Sequence, residues 1–194
     1  MRLTSFASLA VDSIREESRF LMGRLHEYRL QPVNPSRYVA VCGASEPDSR
    51  QRQMAREVGK LLAEAGAVVL CGGLGGVMEA ASEGATTAGG TAVGLLPGAD
   101  RALGNPHLTL ALATGLGEAR NAVLTCAADS VIAIGRGWGT LSEIALARKR
   151  GREVICLDSW QVEGVPVAGS PEEAVKAALG DRHDSPAGAK KGAA

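Results

Sequence analysis

Six short runs of this chain are apolar nearly throughout: Tyr38 to Cys42, Ala67 to Cys71, Thr91 to Leu96, Leu108 to Ala113, Ser130 to Ile134 and Glu153 to Leu157. Between them apolar residues recur at helical spacing. Met54, Val58, Leu61, Leu62 and Ala65 form one helical face, closed by Gly66. Val77 to Thr87 continues as a helix that Gly89-Gly90 stops, Gly117 to Ala128 reads as another, and Ile144 to Arg150 as a fourth. Strands with no polar face must be covered on both sides, and strands alternating with helices pair in parallel through right-handed crossovers. The predicted fold is α/β: an open, doubly wound, Rossmann-like parallel sheet of about six to seven strands with helices on both faces.

The predicted boundaries follow from composition shifts. Residues 1–36 read as an N-terminal helical extension. Ser13-x-x-Glu16 has the form of a capping box, Ile14, Leu21, Leu25 and Tyr28 recur at helical spacing, and Pro32 and Pro35 end the pattern. Residues 37–180 read as the Rossmann-like domain, ending in a helix that Ser170-Pro171-Glu172-Glu173 opens with a second capping box. Residues 181–194 are polar and rich in Gly, Ala and Lys, the composition of a disordered tail.

Aromatic residues are only 3% of the 194, against 25 glycines, so small aliphatic side chains and close helix–strand contacts must build the core. The formal net charge is zero, which argues against a dedicated nucleic-acid binder. The run Arg148-Lys149-Arg150-Gly151-Arg152 reads instead as the solvated C-terminal end of a helix. Cys42, Cys71, Cys126 and Cys156 form no C-x-x-C pair and read as reduced thiols of a cytoplasmic protein. Nothing nearby in sequence supplies the base a nucleophilic cysteine needs. His26, His107 and His183 are scattered, so no metal site is expected. No apolar run is long enough for a membrane span, and serine interrupts Met1 to Val11, which does not read as a signal peptide.

Three small-residue loops fall at predicted strand ends: Gly43-Ala44-Ser45, Gly72 to Gly76, and Gly135-Arg136-Gly137-Trp138-Gly139-Thr140. Doubly wound sheets bind ligands there. A glycine-rich turn into a helix leaves backbone N–H groups at the positive end of the dipole, a setting for phosphate. No Walker A loop occurs, and Gly43-Ala44-Ser45-Glu46 is not a dinucleotide fingerprint. Glu143 stands in the first turn predicted after the last loop, where a site for phosphate alone would not want a carboxylate. Thr140-x-x-Glu143 is also a capping-box pattern, so cap and functional carboxylate stand as alternatives for Glu143. Arg120, taken alone, reads as a surface ion-pair partner of Glu118 or Glu143. Glu79 and Glu83 read as solvated, and Trp138 as either a stacking platform or a rim residue.

Cys71-Gly72-Gly73-Leu74-Gly75-Gly76-Val77-Met78 and Gly135 to Glu143 together resemble the motifs G-G-G-x-x-G-L-M and P-G-G-x-G-T-x-x-E of the "lonely guy" nucleotide phosphoribohydrolases, formerly labelled lysine decarboxylases. The resemblance runs from about Tyr38 to Leu157. It is similar in particular to a bacterial branch related to molybdenum-cofactor carrier proteins, which bind a phosphorylated pterin without hydrolysing it. Arg120, followed by Asn121, matches the position of a functional Arg usually followed by Lys. Departures are Cys71 for the first Gly, Val77 for Leu, Gly135-Arg136 for Pro-Gly, and Asn121 for Lys.

The resemblance implies catalytic roles for Glu143 and Arg120. It implies ligand contacts at Gly43, Ser45, Gly72, Gly73, Gly76, Met78, Asn121, Gly137, Gly139 and Thr140. The implied reaction cleaves the N-glycosidic bond of a nucleoside 5′-monophosphate, with no metal or organic cofactor, in a homodimer or higher homo-oligomer. The alternative is a carrier for a nucleotide or a phosphorylated, molybdopterin-like cofactor. Arg136 either binds the anion or points to solvent. A decarboxylase is excluded because Lys60, Lys149 and Lys176 fall on solvated helix faces and Lys190 and Lys191 in the tail, leaving no lysine for pyridoxal phosphate.

Overall fold

A computed structural model of the chain describes residues 37–180. The helix expected within residues 1–36 and the tail of residues 181–194 lie outside the described residues. The elements are β1 (Tyr38–Gly43), α1 (Ser49–Glu64), β2 (Val68–Cys71), α2 (Val77–Thr87), β3 (Thr91–Leu96), β4 (Leu110–Ala113), α3 (Arg120–Ala127), β5 (Ser130–Gly135), α4 (Trp138–Lys149), β6 (Glu153–Ser159), β7 (Val167–Ala168) and α5 (Pro171–Leu179). Short 3-10 turns at Arg101–Leu103 and Gly117–Ala119 precede β4 and α3.

The seven strands form one parallel sheet in the order β4-β3-β2-β1-β5-β6-β7. The chain winds outward from β1 through β4, then returns to β5 on the other side of β1. The loops leaving β1 and β5 therefore diverge at the switch point, where such sheets open a crevice. Alternate residues of each central strand feed two cores. Val39, Val41, Ile132 and Ile134 pack with α1, α2 and α5 on one face. Ala40, Cys42, Val131 and Ala133 pack with Leu124, Ile144 and Ala147 of α3 and α4 on the other.

Glycine is required where β1 meets β5 and α2. A Cβ on Gly43 would lie 2.1 Å from the Ile134 carbonyl oxygen and 2.7 Å from the Val77 side chain. Neither a central-strand carbonyl nor a fully buried valine can move away cheaply. Gly43→Ala is expected to destabilise the fold by about 3 kcal/mol, the upper end of ordinary overpacking, as measured by urea unfolding. A loss under about 1 kcal/mol would mean that the β1 loop yields.

Several boundaries differ from the sequence expectation. The fourth strand begins at Leu110, because Leu108 packs inward from the loop. The segment Gly117–Ala119 is 3-10 before α3 begins. β7, only two residues long, carries no detectable periodicity. Helix α4 begins at Trp138, inside the glycine loop, so Glu143 sits in its second turn rather than its first.

Candidate functional site

Helix α4 buries Thr140, Glu143, Ile144 and Ala147, a stripe at i, i+3, i+4 and i+7. Two of these four are polar, unusual for a face turned to a core. Thr140 is not a cap: Gly137 occupies the N-cap position without a side-chain bond, and the buried Thr140 hydroxyl has no partner. The capping-box alternative for Thr140 and Glu143 is thus corrected. Where the device is real it looks different: Ser170 Oγ accepts from the Glu173 N–H, and Glu173 Oε2 accepts from the Gly169 N–H.

Arg120 opens α3 and is 7% exposed. Its guanidinium lies so close to Gly72 that a Cβ there would stand 1.9 Å from Nη1. Gly72 is therefore small to admit Arg120. Arg120 Nε and Nη1 are buried without partners. Among the described residues the ion pairs are Arg56–Glu83, Lys60–Glu57 and Lys60–Glu64, so Arg120 is not the surface ion-pair partner that its helical setting suggested. Glu83 has a partner, where a solvated residue was expected.

Glu143 is 6% exposed. Burial drives its carboxyl from the usual value near 4.5 up to about 7, against the pull of the Arg120 charge and the neighbouring Cys42 thiol, with a further push from Glu118. The Cys42 thiol is itself pushed up, by burial first and then by Glu143. A buried guanidinium thus shares its field with a carboxyl that is half protonated near neutrality. Such an arrangement can hold an anion and exchange a proton beside it.

The remaining predicted positions gather around this pair unevenly. Asn121, buried next to Arg120, donates from Nδ2 to Ser142 Oγ at 3.2 Å, and Ser142 Oγ donates to the Gly139 carbonyl at 2.7 Å. Asn121 Oδ1 is left without a partner. These bonds tie α3 to α4 through Ser142, a residue for which the sequence suggests no role. Gly137 and Gly139 are open: at 139 a Cβ would meet nothing within 4 Å. Gly76 lies under the Ala44 and Ser45 carbonyls, and the Val77 N–H donates to Ala44 O at 3.1 Å, which joins the β1 and β2 loops. Gly73 packs instead over Leu96 and Gly94, and Asn105 donates to the Leu74 carbonyl at 3.1 Å beside it. Ser45 is exposed and Met78 half-buried. Trp138 is 82% exposed, on the solvent side of α4, its ring 6.0 Å from that of Trp160. Trp160 Nε1 donates to the Gly137 carbonyl and braces the loop. Arg136 is exposed, its Nε donating to Ser159 O at 3.3 Å. Among the described residues no three His, Cys, Asp or Glu side chains converge as a metal site, and no helix is long and apolar enough to cross a membrane.

A doubly wound sheet whose switch-point loops enclose unpartnered buried donors defines a Rossmann-like protein with a ligand crevice at that point. The chain belongs to the SLOG cluster4 family, which it matches over residues 36–182. It is 44% identical over 138 residues to a protein of Archaeoglobus fulgidus, covering 71% of this chain and 91% of that one. The molybdenum cofactor binding protein of the phototrophic bacterium Rippkaea orientalis is similar in structure, with TM-score 0.70 and 35% identity, over 73% of this chain and 94% of that chain. The molybdenum cofactor carrier protein of Chlamydomonas reinhardtii superposes with TM-score 0.67 and 32% identity, over 72% and 94%.

Proposed function

We propose that the protein binds a phosphorylated small molecule, a nucleotide or a pterin-type cofactor, beyond the ends of β1, β2 and β5, and holds it as a carrier does. The observation that carries this reading is the buried Arg120 guanidinium with Nε and Nη1 unpartnered. A buried charge without a counter-ion is costly, and an oxyanion relieves that cost. The phosphate sits on the α4 N-terminus, against the open backbone at Gly137 and Gly139 and the free Thr140 hydroxyl. Gly43, Ser45, Gly72, Gly73, Gly76, Met78 and Asn121 form the surrounding walls. Retention is supported by the likeness to the two molybdenum-cofactor proteins.

A second reading is favoured by Glu143. Its carboxyl, raised by burial to about 7, gains and loses its proton around neutral pH in the field of Arg120. In hydrolysis of a nucleoside 5′-monophosphate, the C1′–N bond breaks and its electron pair leaves with the base. Positive charge grows on the ribose, which ionised Glu143 stabilises. The departing base takes a proton from solvent, water adds to C1′ and gives its proton to Glu143, and Glu143 returns that proton to solvent. The products are free base and ribose 5-phosphate, and the chain's own residues suffice without metal or organic cofactor.

Incubation with nucleoside 5′-monophosphates, AMP first, tests both readings. Base release followed by chromatography, lost in Glu143→Ala, establishes the hydrolase. Binding of AMP or a phosphorylated pterin without release establishes the carrier. Failure to bind either overturns both.

The fully reduced cysteines of the described residues, three of them buried, suit a cytoplasmic protein. A homo-oligomer is proposed from the edge of the sheet. Leu110 and Leu112 of β4, Leu116 in the connection before α3, and Val123 of α3 are large apolar side chains exposed by 43–51%. The parent is expected to elute as a dimer or larger in light-scattering chromatography, and a Leu110→Arg/Leu112→Arg variant as a monomer. A monomeric parent would refute the interface.

A further inference from the structure

A cavity of about 240 Å³ opens at the carboxyl ends of β5, β6 and β7. It is lined by Arg50, Arg136, Asp158, Ser159, Gln161 and the backbone of Gly169, among others. Its floor includes Met54 and Leu157, which belong to the core on the α1 face. Cys42 and Ile144, the neighbours of Glu143, belong to the core on the opposite face. Neither Arg120 nor Glu143 lines this cavity, although Arg136 comes from the same loop as Gly137.

Two guanidinium side chains line it, those of Arg50 and Arg136. Arg136 is oriented by its Nε bond to Ser159 O, which leaves both terminal nitrogens free for a ligand. Arg50 stands in the first turn of α1, near the positive end of that helix. Among the described residues neither has a carboxylate within 4.0 Å. A carboxylate does line the same cavity: Asp158, held at φ 50° at the end of β6, accepts from Gln51 Nε2 at 3.2 Å. An oxyanion satisfies the two arginines but not Asp158, which calls for a hydroxyl donor. The volume is below the roughly 300–1,000 Å³ of sites for drug-sized ligands.

We propose that this cavity is a second ligand site, independent of the first, for a small sugar or polyol phosphate. Arg50 and Arg136 take the phosphate, and Asp158 accepts from a hydroxyl of the same molecule.

The test follows the arginine Nε–H resonance of Arg136 by NMR, assigned through Arg136→Lys, while inorganic phosphate or ribose 5-phosphate is added. Both probes are expected to move it, with ribose 5-phosphate saturating at roughly tenfold lower concentration. Arg50→Met should weaken both responses tenfold or more, and Asp158→Asn should remove the advantage of the sugar. The response should persist in Arg120→Met, which disables the first site, so failure of the function proposed above leaves this outcome intact. A resonance that neither probe moves overturns the proposal. So does a response unchanged in Arg50→Met, one abolished by Arg120→Met, or a sugar preference retained in Asp158→Asn.

Discussion

Replacing Arg120 with Met is expected to weaken AMP binding a hundredfold or more and, in the same protein, to raise the melting temperature of the ligand-free form. The two effects share one cause. Arg120 is 7% exposed, and two of its nitrogens donate to nothing. Each unmet buried donor costs about 1–3 kcal/mol, and an apolar stem of similar reach removes that cost while still filling the space over Gly72. A gain of about 2 kcal/mol corresponds to about 4–8 °C for a domain of this size. Binding moves the other way, because charge-assisted bonds to an anion are each worth about 1.5–3 kcal/mol and two are lost. Calorimetric unfolding should be run near pH 6, where Glu143 is largely protonated with or without its neighbour. A variant that melts lower and binds AMP unchanged would make Arg120 a structural cation.

The chain declared its architecture because strand and helix signals are local. Runs such as Val39-Ala40-Val41 and Val131-Ile132-Ala133 are apolar on both faces, and a residue buried on either side of a sheet must be apolar wherever the strand lies in the order. The glycine loops were legible for the same reason, being contiguous. What was not legible depends on contacts across the sequence. Gly72 reads as a place for ligand approach, yet it makes room for a guanidinium 48 positions later. Thr140-x-x-Glu143 is a capping box by pattern, but α4 starts at Trp138, within residues that look like helix breakers. That start turns both side chains inward. Arg136 carries no mark in the sequence of which side of its loop it serves. Only the fold shows that it bonds the Ser159 carbonyl at the end of β6 and lines the cavity there.

Glu143→Gln separates the chemistry of the carboxyl from its cost to the fold. In the parent, burial holds the folded-state value near 7 against about 4.5 for the unfolded chain. Between those values the folded protein binds more protons than the unfolded one, so this group makes stability fall as pH rises. The loss begins near pH 4.5 and is complete above about pH 7, where it amounts to about 3 kcal/mol. Glutamine has no proton to lose. The variant should therefore match the parent in urea unfolding near pH 4.5 and exceed it by about 3 kcal/mol at pH 8. Glu83 and Glu172, whose carboxyls are lowered by Arg56 and by Ser170, tilt the profile the opposite way in both proteins and cancel in the difference. If the protein hydrolyses nucleotides, base release should disappear in this variant while AMP binding survives through Arg120 and the α4 N-terminus. A carrier loses no activity and shows only the stability gain. A difference between the two proteins that does not change from pH 4.5 to pH 8 would mean that Glu143 is already ionised in the folded state. It would then be a fixed counter-charge to Arg120 rather than a group that exchanges protons.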